Sequence, residues 1–299
     1  MTCYMTGPLT FIAPAKINLA LHIVGRRSDG YHLIESLAVF AEDGDHLSAE
    51  PAEADDITVA GRYAAQVPIG EANLIIRARD LLRERFGAAA TQPVALRLEK
   101  NLPVASGIGG GSSDAATTMR MLARLWKLEA EDAELARLGL QLGADVPMCL
   151  AARPLLARGI GEKIEPLKRF PALFVVLVNP GVPLATAHVF QALSRANNQT
   201  MPVISADGDA DAVIDWLSAT RNDLEEPAMS LAPEIADALQ ALRDNGAILA
   251  RMSGSGATCF GIFRSKGEAE RAAAAISDAA PAWFVSATRI APVEGNDGR

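Results

Sequence analysis

Residues 103–116 read PVASGIGGGSSDAA, and the rest of the chain is organised around this stretch. An alternating segment, Val94 to Leu98, runs into it. A stripe of Ala115, Met119, Leu122 and Trp126 at helical spacing follows it. Between the expected strand and helix stand Gly107, Gly109, Gly110 and Gly111, then Ser112, Ser113 and Asp114. Glycines let backbone N–H groups approach an anion with no Cβ in the way, and a following helix aims its dipole and unpaired donors at the same spot. Ser112, Ser113 and Asp114 can cap that helix or stand near phosphate and metal. A flexible connection with an ordinary serine cap would explain one or two glycines. Four glycines in five positions, directly before a helix, point to phosphate binding instead. Three common nucleotide loops do not fit. A Walker A loop needs Gly-Lys-Ser/Thr, and no lysine follows these glycines. The dinucleotide fingerprint, counted from Gly107, meets Ser112 where its last glycine should be. Gly-rich loops of the protein-kinase type join two strands, whereas this one opens a helix.

Composition bounds the setting. With 299 residues, 49% of them hydrophobic, the chain can bury substantial cores, and its length suggests about two domains. Lys plus Arg number 28 against 36 Asp plus Glu, a net charge of −8, which argues against a general surface for nucleic acid or anionic membrane. No run approaches the roughly 20 apolar residues of a spanning helix. The opening residues MTCYMTGPLT lack the basic and apolar regions of a secretory signal, so a cytoplasmic protein is expected. Cys3, Cys149 and Cys259 are odd in number and form no CxxC pair, so they read as reduced thiols. No His/Cys cluster has zinc spacing and no GxSxG elbow appears, which weighs against metallohydrolase and serine-hydrolase chemistry.

Elsewhere the period predicts a strand over Thr10 to Val24, with Ile17, Leu19, Leu21 and Ile23 alternating and Pro14 interrupting its start. A second strand is expected over Leu33 to Phe40, after the GRRSDGYH turn. Asn73 should cap a helix to Phe86 with Leu74, Ala78, Leu81 and Arg85 on one face. Another helix is expected from about Glu131 to Leu142, stopped by Gly143. Strands are expected around Leu155 to Ala157 and Leu173 to Val178. The remainder mixes helices (Ala185 to Ser194, Ala210 to Ser218, Pro233 to Asn245, Gly267 to Ala279) with strands (Ile248 to Met252, Thr258 to Phe263, Trp283 to Thr288). This irregular interleaving predicts an α+β fold, with one domain over 1–167 and a second over 168–299.

The glycine loop resembles that of the GHMP kinase superfamily, standing here as Pro103, Gly107, Ile108, Gly109, Gly110, Gly111, Ser112 and Ser113. Two further blocks appear in the family's order: APAKINLAL at Ala13 to Leu21 and SGSGATCFGIF at Ser253 to Phe263. GRRSDGYH and LGADVPMCL (Leu142 to Leu150) are similar to the branch whose alcohol acceptor carries a cytidine diphosphate group, in non-mevalonate isoprenoid synthesis. The resemblance implies a two-domain α+β fold with the active site in a cleft between domains, and a left-handed βαβ crossover. It implies an ATP-dependent small-molecule kinase, with Mg²⁺ accompanying ATP on unknown ligands. Another GHMP kinase (homoserine or mevalonate kinase) and a non-catalytic sensor on the same fold are the rival readings. Monomer and homodimer both stay open.

Phosphoryl transfer to a hydroxyl needs a positioned acceptor, neutralised charge and often a carboxylate to take the proton. Asp145, in GADVP, suits that base; a turn-stabilising Asp is the alternative, and Pro147 should keep Val146 extended. Lys16 breaks an apolar strand, either as a snorkelling side chain or as a group with a partner. Asn18 shares its face, as a candidate substrate hydrogen-bonder. The resemblance makes Lys16 and Asp145 the catalytic pair. It makes Pro103, Val104, Ala105, Ser106, Gly107, Ile108, Gly109, Gly110, Gly111, Ser112 and Ser113 the ATP-binding loop. Tyr31 and His32 offer a ring face and a donor–acceptor edge that suit cytosine. The resemblance assigns them to the cytidine group, with Thr186 and Phe190 at the same pocket; a helix cap and a core aromatic are the plainer readings of the last two. Ser253 to Gly256 reads locally as a tight hairpin, and by resemblance as a lining near the transferred phosphate.

Overall fold

A computed structural model describes residues 8–204 and 209–294; Cys3 lies outside them. The described chain packs as two compact units, each assembled from separated stretches. The first holds the residues through Ala15, Asp43–Val104 and Gly110–Leu150. The second holds Lys16–Glu42, Ala105–Gly109 and the chain from Ala151 onward, so residue 167 falls inside it.

Two long strands, β1 (Leu9–Arg26) and β2 (His32–Pro51), pair with each other and pass through both units. In the first unit the C-terminal part of β2 pairs antiparallel with β4 (Val94–Glu99), and β3 (Asp56–Ala60) pairs parallel with β4. The crossover between β3 and β4 carries α1 (Leu74–Phe86), which packs on α2 (Gly110–Leu125). Two short helices, α3 (Asp132–Gly139) and α4 (Val146–Ala151), complete the unit. Asn73 caps α1 as expected, its side chain accepting from the Ile75 N–H. The buried face is Ile75, Ala78 and Leu82, one step round from the expected stripe, because Leu74 and Leu81 are only half-buried and Arg85 is exposed.

In the second unit β5 (Leu155–Gly159) pairs antiparallel with the start of β2 and with β6 (Lys163–Pro166). Strand β7 (Leu173–Asn179) lies between β10 (Phe284–Ile290) and β9 (Cys259–Phe263), and β9 pairs with β8 (Leu249–Met252), all antiparallel. Helices α5 (Thr186–Gln191), α6 (Ala210–Ser218), α7 (Glu225–Leu231), α8 (Glu234–Asp244) and α9 (Lys266–Ala279) fill the intervals. Helices α8 and α9 pack on β7 and β9, burying Ile235, Leu239, Leu242 and Ile276 with Val176, Val178 and Phe263. The expected α+β architecture is thus present in both units. Four elements went unanticipated: β3, β6, α4 and α7 are short or carry charge, and a period of two or 3.6 barely registers over so few residues.

Several local expectations need correction. Strand β1 continues through Pro14, and among the described strands it pairs with β2 alone, the edge position that the proline suggests. Helix α2 begins at Gly110, so Ser112 and Ser113 sit inside its first turn rather than capping it. Asp114 is turned inward onto Lys100, which removes it as a cap. Val146 is helical, not extended: Pro147 occupies the first turn of α4, where its missing N–H has no intrahelical role. The helix expected over Glu131 to Leu142 is confined to α3.

Candidate functional site

The alternation of β1 fixes which side chains share a face, and burial decides what that face is. Ile17, Leu19, Leu21 and Ile23 are buried, as expected. The other face carries Lys16, Asn18, Ala20 and His22, and it is buried too. Lys16 is only 4% exposed, which excludes a snorkelling lysine on an open strand. Its Nζ donates to Asn18 Oδ1 at 3.0 Å. The Asn18 amide nitrogen donates to Ser36 Oγ at 2.7 Å, and Ser36 donates to the Ala20 carbonyl at 2.7 Å. His22 is held in one tautomer: its Nε2 accepts from the Arg221 N–H, so Nδ1 carries the proton toward the Gln199 carbonyl at 3.0 Å. Burial lowers the His22 pKa, keeping the ring neutral.

Ala105–Gly109, the middle of the glycine loop, is stitched to the same strand. The Lys16 N–H donates to the Ile108 carbonyl at 2.9 Å. Ser253 Oγ accepts from the Asn18 N–H and donates to the Gly107 carbonyl, both at 3.0 Å. The Thr258 N–H donates to the Ser106 carbonyl. Ser253–Gly256 is the tight turn joining β8 to β9, and it also buttresses the glycine loop, a role its local sequence does not announce. Gly109 has φ +64°, which favours glycine, and a Cβ there would stand 3.1 Å from Lys16 Cε, a tight contact that would press on that side chain.

Further along the second unit, His32 and Phe190 stack with ring centroids 5.1 Å apart and planes tilted by 30°. Burial, and then the Arg26 charge, lower the His32 pKa. Tyr31 precedes it and is exposed, its N–H accepted by the Asp29 carboxylate. Thr186 opens α5, and its hydroxyl meets Ser255 Oγ at 2.8 Å. Two residues far apart in sequence, His32 and Phe190, are therefore brought together, and a third, Thr186, is tied to the Ser253–Gly256 turn.

The first unit carries the rest. Gly110, Gly111, Ser112 and Ser113 form the first turn of α2, whose N–H groups have no acceptor within the helix. Pro103 and Val104 lead into the loop on the β4 side. Ser113 is buried, and its hydroxyl has no protein partner. Beneath this turn lies a cluster that sequence reading missed. Lys100 Nζ stands 2.5 Å from Asp45 Oδ2 and 2.6 Å from Asp114 Oδ2, all three residues being buried. A lysine in the EKNLP stretch just after β4 gives no hint of this partnership; only the inward turn of Asp114 on α2 reveals it. Asp145 is half-buried and precedes α4, its carbonyl accepting the Cys149 N–H. Both cysteines in the described residues, Cys149 and Cys259, are free and buried.

The first unit holds a helix start with unpaired N–H groups and the half-buried Asp145, and the second holds the buried ammonium of Lys16; phosphoryl transfer calls on groups of these kinds. Comparison with known proteins gives the class. The profile of the GHMP kinases N terminal domain matches residues 73–153, and that of the GHMP kinases C terminal matches residues 201–282. The protein named 4-diphosphocytidyl-2-C-methyl-D-erythritol kinase in Mesorhizobium japonicum is 56% identical over 95% of this chain and 96% of its own. Its namesake in Rhizobium meliloti is 54% identical over 96% of this chain and 97% of its own. A crystal structure of 4-(cytidine 5'-diphospho)-2C-methyl-D-erythritol kinase superposes with a TM-score of 0.79 at 33% identity, covering 95% of this chain and 100% of that one. The mevalonate kinase of L. major, 18% identical with a TM-score of 0.69, shares the fold. These matches define a GHMP kinase, a phosphotransferase acting on a hydroxyl group. Within that class the chain belongs to the 4-diphosphocytidyl-2-C-methyl-D-erythritol kinase family.

Proposed function

We propose that this chain transfers the γ-phosphoryl group of ATP to the 2-hydroxyl of 4-diphosphocytidyl-2-C-methyl-D-erythritol, giving ADP and the 2-phosphate. The step belongs to the non-mevalonate (methylerythritol phosphate) route to isoprenoid precursors. The observation that carries this reading is 56% identity with a kinase of that name across nearly the full length of both chains.

Asp145 takes the proton of the acceptor hydroxyl, and Lys16 orients that hydroxyl and offsets developing charge. Residues 103–113 bind the ATP phosphates through backbone N–H groups. The neutral ring of His32, stacked on Phe190, reads the edge of cytosine, with Tyr31 supplying a ring face and Thr186 a hydroxyl. Asn18 Oδ1 already accepts from Lys16 and has a second lone pair for the acceptor hydroxyl. Among the described residues no group of three or more His, Cys, Asp or Glu side chains gathers as metal ligands. Mg²⁺ would enter with ATP and neutralise charge on its phosphates. We assign residues 1–167 to ATP binding and catalysis and 168–299 to the C-terminal GHMP domain, in the cytoplasm.

Purified protein with ATP-Mg and a panel of acceptor alcohols tests the reading through ADP release. Turnover is expected with 4-diphosphocytidyl-2-C-methyl-D-erythritol and not with homoserine or mevalonate. Efficient use of either of those would move the chain to another GHMP activity, and no turnover with any acceptor would make it a sensor.

A further inference from the structure

Ser36 stands on β2, in an otherwise apolar run, ESLAVF, and is completely buried. Its hydroxyl has one proton, and that proton goes to the Ala20 carbonyl at 2.7 Å. Toward Asn18, 2.7 Å away, Ser36 Oγ can therefore only accept. This settles which end of the Asn18 amide faces which neighbour. The NH₂ end must point to Ser36, and the carbonyl oxygen then points to Lys16 Nζ at 3.0 Å. With the amide turned over, an NH₂ group would face an ammonium and a carbonyl would face a hydroxyl already committed as donor elsewhere. Both contacts would be lost in a buried site, where unmade hydrogen bonds are costly. The backbone of Asn18 is pinned as well, through its N–H to Ser253 Oγ.

We infer that Ser36 is a positioning residue for phosphoryl transfer: it locks the orientation of the Asn18 amide so that an acceptor, not a donor, holds the Lys16 ammonium in place. The inference rests on the reading of Lys16 as catalytic. Ser36 touches neither nucleotide nor acceptor in this account and acts only through Asn18. The lock is directional, running Lys16 to Asn18 to Ser36 to Ala20. Threonine can make the same two bonds; alanine can make neither.

The test is steady-state kinetics with ATP-Mg and 4-diphosphocytidyl-2-C-methyl-D-erythritol. Ser36→Ala should lower kcat by roughly tenfold to a hundredfold, the scale of a misplaced catalytic group. KM for both substrates should stay within about twofold, as for an interaction felt only in the transition state. Ser36→Thr should restore kcat to within about threefold of wild type. In an Asn18→Ala background Ser36→Ala should cost nothing further, because the two act as one unit. Lys16→Met separates the layers: near-normal turnover in that variant removes the underlying reading of Lys16. A crippled Lys16→Met beside a normal Ser36→Ala overturns the positioning role alone. A Ser36→Ala loss that falls equally on KM, or that adds fully to Asn18→Ala, overturns it as well. If the alanine variant loses its fold, Ser36→Cys, similar in size but a poor acceptor, takes its place with the same expectations.

Discussion

Replacing Asp114 with Asn should change how stability depends on pH, and the direction follows from the geometry of one buried cluster. Lys100 faces two carboxylates, Asp45 and Asp114, so the trio carries an excess negative charge when all are ionised. The two acids are not equally served. Asp45 Oδ1 accepts the N–H groups of Asn101 at 2.6 Å and Leu102 at 2.8 Å. Asp114 Oδ1 is buried with no partner. Burial pushes the Asp114 carboxyl up to about 7, with the Lys100 charge pulling against it and the Asp45 charge adding to it. A carboxyl that holds its proton better folded than unfolded favours the native state at low pH. That contribution is complete below the ordinary value of 3.8 and is lost as pH rises through about 7. Each pH unit in this window is worth about 1.4 kcal/mol, so the whole span is on the order of 4 kcal/mol. Asp114→Asn removes the titration while keeping the shape. Urea unfolding of both proteins at pH 5, 6, 7 and 8 reads the term, because titrating groups remote from the cluster, His22 among them, cancel in the difference. The wild type should lose stability relative to the Asn variant as pH rises. Parallel curves would refute the placement of the proton on Asp114. A wild type that gains on the variant would mean that Lys100 keeps Asp114 ionised.

Asp145→Asn should lower turnover by about two orders of magnitude or more with little change in acceptor binding, read by steady-state ADP release. Turnover within about threefold of wild type would leave Asp145 as the residue that starts α4. Gly109→Val puts a branched side chain at φ +64° and against Lys16, so ATP affinity and turnover should both fall; unchanged ATP titration would sink the loop assignment. His32→Ala should weaken the cytidine substrate by roughly 1–3 kcal/mol while leaving ATP affinity intact. Calorimetric titration of each ligand checks this, and indifference toward the cytidine ligand would remove His32 from recognition.

Local chemistry was legible and long-range partnership was not. The Asn73 cap and the alternation of β1 depend on residues within a few positions of one another, and both stand where the sequence places them. The start of α2 was misplaced by a few residues because glycine at Gly110 reads as loop, whereas a helix can begin there once the turn before it is fixed by Gly107 and Gly109 at positive φ. The Lys100 cluster joins residues from three separated segments, and no periodicity carries that information. The Asn18–Ser253 bond spans 235 positions.

Strand β1 shows why a correct period can still mislead about chemistry. Apolar side chains on alternate positions imply a strand with one wet face, and on such a face Lys16 and Asn18 would simply be hydrated by solvent. The same alternation also describes a strand covered on both sides when one cover is polar. The sequence of β1 cannot tell these cases apart, since its own residues are identical in both. The cover comes from elsewhere: Ser36 on β2, and Ser253 in the turn between β8 and β9. Once both faces are buried, a lysine on the polar one must have hydrogen-bond partners, because an unpaired ammonium there would be costly to bury. Lys16 is then tied to a residue whose own orientation is dictated by a third. What distinguishes a site from a surface here is coverage, and coverage follows from the tertiary fold rather than from the pattern of the strand that bears the reactive group.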